Sequence, residues 1–249
     1  MQQSKARTTF INRLLHFNDD IELMDILYYN IANSTMPEDG KLFRYFSRNS
    51  HPNIARHTVI SQHNRMLIAT HCRATLYSAY VKELYEEFTI YLRSIIAEAY
   101  SNAKVEPGKI VGDQGKINMS AREILKFSRD GTLIDIVIGR IFQALENERS
   151  TIQLVNKTCE KLELNVDDGI IQDAVLFLEI RHKLVHTDGF ADEDFKTSHP
   201  DLTYTPDSYI DLTYNTIVSM REKVTALIDA IDSEAISKGI LKPHTEPKK

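Results

Sequence analysis

Phe177-Leu-Glu-Ile-Arg181-His182-Lys-Leu-Val-His186-Thr-Asp-Gly189-Phe190 reads as the last turns of an amphipathic helix that stops at a glycine. At about 100° per residue, Ile170, Ile171, Ala174, Leu178 and Val185 fall on one side of that helix, flanked by Phe177, Ile180 and Leu184. Gln172, Glu179, His182, Lys183 and His186 form the polar arc. Asp167 or Asp168 supplies an N-cap, and Gly189 stands where a left-handed C-cap residue is expected. Arg181 sits in the middle of the apolar arc. An arginine there needs a carboxylate from another helix, or it lines a polar pocket or an interface. His186 lies in the last turn, where the negative end of the helix dipole favours an imidazolium. Arg181 and His186 project about 140° apart, so one face cannot present both side by side. They converge where the helix ends at His186, or where a two-fold partner supplies the second copy.

The segments on either side repeat the helical period. Phe10, Leu14, Phe17, Ile21, Met24 and Leu27 or Tyr28 mark a helix over about 8–31. From Ile54 to Tyr100 there is neither glycine nor proline, which predicts one long helix or two. Ser120-Ala-Arg-Glu123 is a capping box ahead of Ile124, and Asp130-Gly131 breaks that helix before an apolar run over 133–145. Further helices are expected over 150–164 and 206–238, with loops over 33–53 and 101–118. Only 9 glycines and 7 prolines occur in 249 residues, too few for the turns of a doubly wound α/β fold or a β-sandwich. Neither of the common glycine-rich nucleotide fingerprints is present. The fold class is therefore all-α, with a loop insertion or two. It is read as one domain over 1–241, followed by a disordered charged tail over 242–249.

Cys72 and Cys159 are too few for a disulfide framework or a four-cysteine zinc site, and each reads as a free thiol. The N-terminus lacks the apolar stretch of a secretion signal, and no run approaches a membrane span. A cytoplasmic protein with no membrane partner is expected.

Charge is distributed unevenly. The chain carries −5 overall, yet residues 41–82 contain no Asp or Glu. Lys41, Arg44, Arg48, Arg56, Arg65, Arg73 and Lys82 give that stretch +7, leaving −12 on the remainder. With Phe43, Tyr45, Phe46, Tyr77 and Tyr80 among them, these cations suit phosphates and unpaired bases. Lys41, Arg44, Arg48, Arg56, Arg65 and Arg73 are the RNA-binding candidates. Pairing of the same cations with acidic helices is the alternative.

The motif Arg181-x4-His186, with a polar residue after the arginine and a glycine just beyond the histidine, resembles the HEPN superfamily. The run Arg181 to Phe190 followed by Asp192-Glu-Asp-Phe195 is similar to the RiboL-PSP-type and abortive-infection HEPN proteins of bacteria. The close likeness covers 177–195, and His182 stands where many members carry Asn. The resemblance implies an antiparallel helical bundle with additional helices and loop insertions, and a metal-independent, cofactor-free ribonuclease whose two motif copies meet in a homodimer. It assigns His186 as general acid/base at the ribose 2′-OH and Arg181 as stabiliser of the phosphorane charge. His182 would position the phosphate, and the product would be a 2′,3′-cyclic phosphate. Toxin or phage-defence roles, with an antitoxin-like partner protein, follow from the same likeness. The contrasting function is a non-catalytic helical module of the same fold that serves dimerisation or regulates a partner.

Other constellations are weaker. His182 and His186 have a zinc-compatible spacing, but no Glu sits between them as in H-E-x-x-H and no third ligand is near. Tyr77, Tyr80, Tyr85, Phe88 and Tyr91 read as packing aromatics, His63 and His71 as surface groups, and Cys72 as buried.

Overall fold

The computed structural model describes residues 2–33, 62–102, 104–111, 118–146 and 150–244. Every regular element among them is a helix. In chain order these are α1 (Lys5–Ala32), α2 (Gln62–Ser101), α3 (Pro107–Val111), α4 (Ala121–Arg129) and α5 (Leu133–Glu146), then α6 (Thr151–Lys161), α7 (Asp168–His186), α8 (Glu193–Ser198) and α9 (Tyr214–Ser237). The protein is all-α, as its composition and periodicity require.

The described part of the glycine- and proline-free stretch forms one helix, and residues 54–61 lie outside the described residues. α2 runs for 40 residues, about 60 Å, from Gln62 onward. Tyr77, Tyr80, Leu84, Phe88, Tyr91, Leu92, Ile95 and Ala99 recur at three- and four-residue steps along it and are all buried. α1 lies antiparallel on α2. Its Phe10 meets Tyr91, Arg13 pairs with Glu87, Phe17 meets Tyr80, and Tyr28 lies under Arg73. α9 is fastened to α1 by Arg7–Asp229 and Arg221–Asn18. α7 runs antiparallel to α9, joined by Lys223–Asp173 near one end and by Ile210 N–H donating to Gly189 O at the other. Buried residues of α1, α2, α5, α6, α7 and α9 share one continuous hydrophobic core.

Local signals explain most boundaries. Ser4, Ser120, Asp167, Asp192 and Thr213 each accept a backbone N–H as helix N-caps. The capping box at Ser120 and Glu123 forms in both directions, and its hydrogen bonds hold the Glu123 carboxyl below the usual range. Cap placement also corrects three expectations. α1 starts three residues early because Ser4, not a later residue, is its cap. α6 stops at Lys161, and Glu163 beyond it has φ +54°. The last helix begins at Tyr214, not near 206. The segment before it turns through Ser208 (φ +68°) and returns to pair Tyr209 with Phe190 and Ile210 with Tyr204. The short helix α3 lies inside the stretch 101–118 read as a loop, and α8 forms where no helix was expected.

The chain ends are tied together. Ser4 N–H and hydroxyl both donate to the buried Asp232 carboxylate, and Tyr91 hydroxyl approaches the same group at 3.5 Å. Lys242 N–H donates to Glu98, and His244 N–H donates to Gln3 O. Residues 242–244, expected in a loose tail, are thus anchored, while 245–249 lie outside the described residues.

Candidate functional site

α7 carries the motif at its C-terminal end. Ile171, Ala174, Val175, Leu178 and Ile180 are buried against α9, α2 and α6, which fixes the helix in rotation. The last turn then projects past the core. Val185, expected on the buried side, is 42% exposed because little lies opposite it there. His182 and His186 are exposed, and their rings sit 4.4 Å apart, as an i, i+4 pair must.

Arg181 is half-buried. Its guanidinium lies 4.9 Å over the ring of Tyr85 on α2. Among the described residues no carboxylate pairs with it. The apolar-face arginine therefore takes an aromatic platform where a counter-ion was the simpler expectation. Tyr85, read only as a packing aromatic, was the missed member. Its one sequence signal is its angle: it lies about 80° round α2 from buried Tyr77, at the edge of the core face.

The helix end is built by Lys183 O. It accepts Thr187 N–H at 3.0 Å, Gly189 N–H at 2.9 Å and the Thr187 hydroxyl at 3.0 Å. Asp188 and Gly189 have φ of +51° and +87°, so the left-handed stop spans two residues. A Cβ on Gly189 would stand 3.3 Å from Leu184 Cδ2. Lys183 itself turns back to Asp192, the cap of α8, and its ammonium holds the Asp192 carboxyl below the ordinary range. Beyond α8, buried His199 stacks on Phe195 and faces two carbonyl oxygens, Phe195 O at 3.0 Å and Leu176 O at 3.1 Å. The segment after the motif is thereby clamped to α7.

The electrostatics of the cluster are cationic on one side. His182 titrates below the ordinary histidine range, first because its surroundings desolvate it, then because His186, Lys183 and Arg181 repel a further positive charge. Asp188, Asp192, Glu193 and Asp194 lie on the other side in sequence. Such a group offers a fixed guanidinium and two exposed imidazoles, which suit proton transfer and the binding of an oxyanion.

The remaining candidates divide. Lys41, Arg44, Arg48 and Arg56 lie outside the described residues, and Arg65 falls on α2. Arg73 is committed elsewhere: it pairs with Asp211 at 3.0 Å and lies 3.9 Å over the Tyr28 ring, with 11% of its side chain exposed. Cys159 is buried, and burial pushes its thiol up to about 11. Cys72, expected buried, is exposed because its side of α2 faces away from the core. His63 and His71 are exposed, as read. A groove between α1 and α2 is lined by residues that include Lys5, Thr9, Arg13, Glu87, Ser94 and Glu98 and by no motif residue. No described helix is long and apolar enough to cross a membrane. In comparison with known proteins, no family model, no curated protein and no solved structure matches the chain.

Proposed function

We propose that the chain is a metal-independent endoribonuclease of the HEPN type that acts as a homodimer. The observation that carries this reading is Arg181. Its guanidinium is half-buried, held on Tyr85 and unneutralised by any described carboxylate, beside two exposed imidazoles on the same helix end. A charge kept in place without a protein counter-ion is prepared for an anion from outside. In the reaction His186 takes the ribose 2′-OH proton, and the 2′-oxygen attacks phosphorus. The P–O5′ bond breaks, and the 5′-oxygen leaves with the proton that His186 gives up as general acid. The products are a 2′,3′-cyclic phosphate and a free 5′-hydroxyl. Arg181 neutralises the charge that grows on the non-bridging oxygens, and His182, neutral near pH 7, donates a hydrogen bond to the phosphate. Two helix ends related by a two-fold axis would unite groups that a single helix sets about 140° apart.

The test is cleavage of total RNA and of a tRNA pool in EDTA by the native protein, with His186→Ala and Arg181→Ala beside it. Cleavage should fall by about 10²–10⁴-fold in the histidine variant. Equal cleavage by both variants and the native chain would sink the assignment.

One observation favours a second reading. The acidic residues Asp188, Asp192, Glu193 and Asp194 beside the motif suit a basic protein partner better than a polyanion. In that case the helix end is a non-catalytic interaction surface, and no RNA is cut.

A further inference from the structure

Two helical faces are left without a partner among the described residues, and they are complementary. On α1, Leu15, Ile26 and Tyr29 are all more than half exposed. Asp19 and Glu22 lie among them, so the five residues share an arc of about 80° on the side away from the core. Neither carboxylate has an ion-pair partner among the described residues. On α4 no residue is buried, and Leu125 is 72% exposed. Arg122 and Arg129 stand one turn before it and one turn after it, on the same arc of about 60°. Arg122 is unpaired among the described residues, and Arg129 meets only its neighbour Asp130, at 3.4 Å and exposed. One strip is apolar with acid at its centre; the other is apolar with base at both ends.

These strips cannot meet within one chain. α1 packs on the α2 side that carries Tyr80, Glu87 and Tyr91. The α4–α5 hairpin packs where Gly139 of α5 approaches Arg93, about 140° round α2 from that side. We infer that the α1 strip of one copy docks on the α4 strip of a second copy, in a head-to-tail contact independent of the motif on α7. Such a contact joins unlike surfaces, so it leaves one strip free at each end and extends with concentration. α4 has only nine residues, which makes the contact small, salt-sensitive and weak.

Sedimentation velocity over a range of protein concentrations, at low and high salt, tests this. Three variants are compared with the native chain: Arg122→Glu/Arg129→Glu, Asp19→Lys/Glu22→Lys, and all four changes together. The native protein should gain mass with concentration at low salt, above whatever unit the α7 motif forms. Each double variant should associate about tenfold or more weakly. An equimolar mixture of the two doubles should recover association, because the acidic α1 strip of one meets the basic α4 strip of the other as in the native pair, the exchanged strips meet with opposite charge as well, and only like variants repel. The quadruple variant, with both charges exchanged, should recover native association, which also shows that the altered chains fold. Mass independent of concentration in the native protein, or unchanged growth in both doubles, overturns the inference.

Discussion

The guanidinium of Arg181 and the ring of Tyr85 form a contact between α7 and α2 that orients a charge paired with no carboxylate among the described residues. The ring face attracts the cation and blocks half of its approach, so any anion must meet Arg181 from the opposite side. Tyr85→Phe keeps the ring face and should retain RNA cleavage within a few-fold. Tyr85→Ala removes the platform, and the guanidinium loses its orientation. A double-mutant cycle between Arg181→Ala and Tyr85→Ala, read by thermal or urea unfolding, should give a coupling of about 1 kcal/mol. A coupling of zero would mean that the two residues are merely neighbours.

His182 makes a pH prediction whose sign is fixed. Its folded-state titration lies below the ordinary histidine value, so the native chain resists the proton that the unfolded chain accepts. The stability it contributes is complete above the unfolded value, near pH 6.5. It declines as pH falls from there toward the lowered folded value. Replacing His186 with Ala removes one repelling charge and should move the His182 titration upward, though not to the ordinary value, because desolvation is the larger cause. Ring-proton NMR titration of the native chain and of His186→Ala reads this directly; a His182 midpoint that moves down in the variant would contradict it.

Asp232 is buried and accepts both the N–H and the hydroxyl of Ser4. Its carboxylate thus finishes the N-terminus of α1 from the far end of the chain. Asp232→Ala strands two buried donors and should cost about 3 kcal/mol of unfolding free energy. Ser4→Ala removes one donor and the α1 cap, and should cost about 1–2 kcal/mol. Urea denaturation measures both. If Asp232→Ala unfolds at the native midpoint, the clasp between the chain ends does not contribute to stability.

Local chemistry was legible where it was strong. Ser120 with Glu123 announced a capping box, and the absence of glycine and proline announced α2. The stop at Gly189 was readable because few residues other than glycine accept φ of +87°. The late start of α9 was hidden, since Thr205-Pro206-Asp207 resembles a helix start and only the pairing of Tyr209 with Phe190 shows the segment turning back. Arg181 was singled out because it interrupts an apolar face, yet its partner could not be read. Tyr85 is 96 positions away, and nothing local to either residue records that α7 crosses α2 at that turn. Val185 kept the period of a buried residue while the core beneath it had ended.

Tyr80 offers a prediction of the opposite sign from most core changes. It is fully buried, its hydroxyl has no hydrogen-bond partner among the described residues, and burial pushes the phenol up to about 12. The ring packs edge-on to Phe17 at 5.8 Å, a contact that phenylalanine keeps. Tyr80→Phe removes a desolvated hydroxyl without opening a cavity larger than one oxygen. It should therefore raise stability by about 1 kcal/mol, which corresponds to about 2–4 °C in Tm for a chain of this size. Tyr80→Ala, which also deletes the ring, should lose about 3–5 kcal/mol. Differential scanning calorimetry of the two variants separates the hydroxyl from the ring; a clear loss of stability in Tyr80→Phe would show that the hydroxyl has a bonding partner after all.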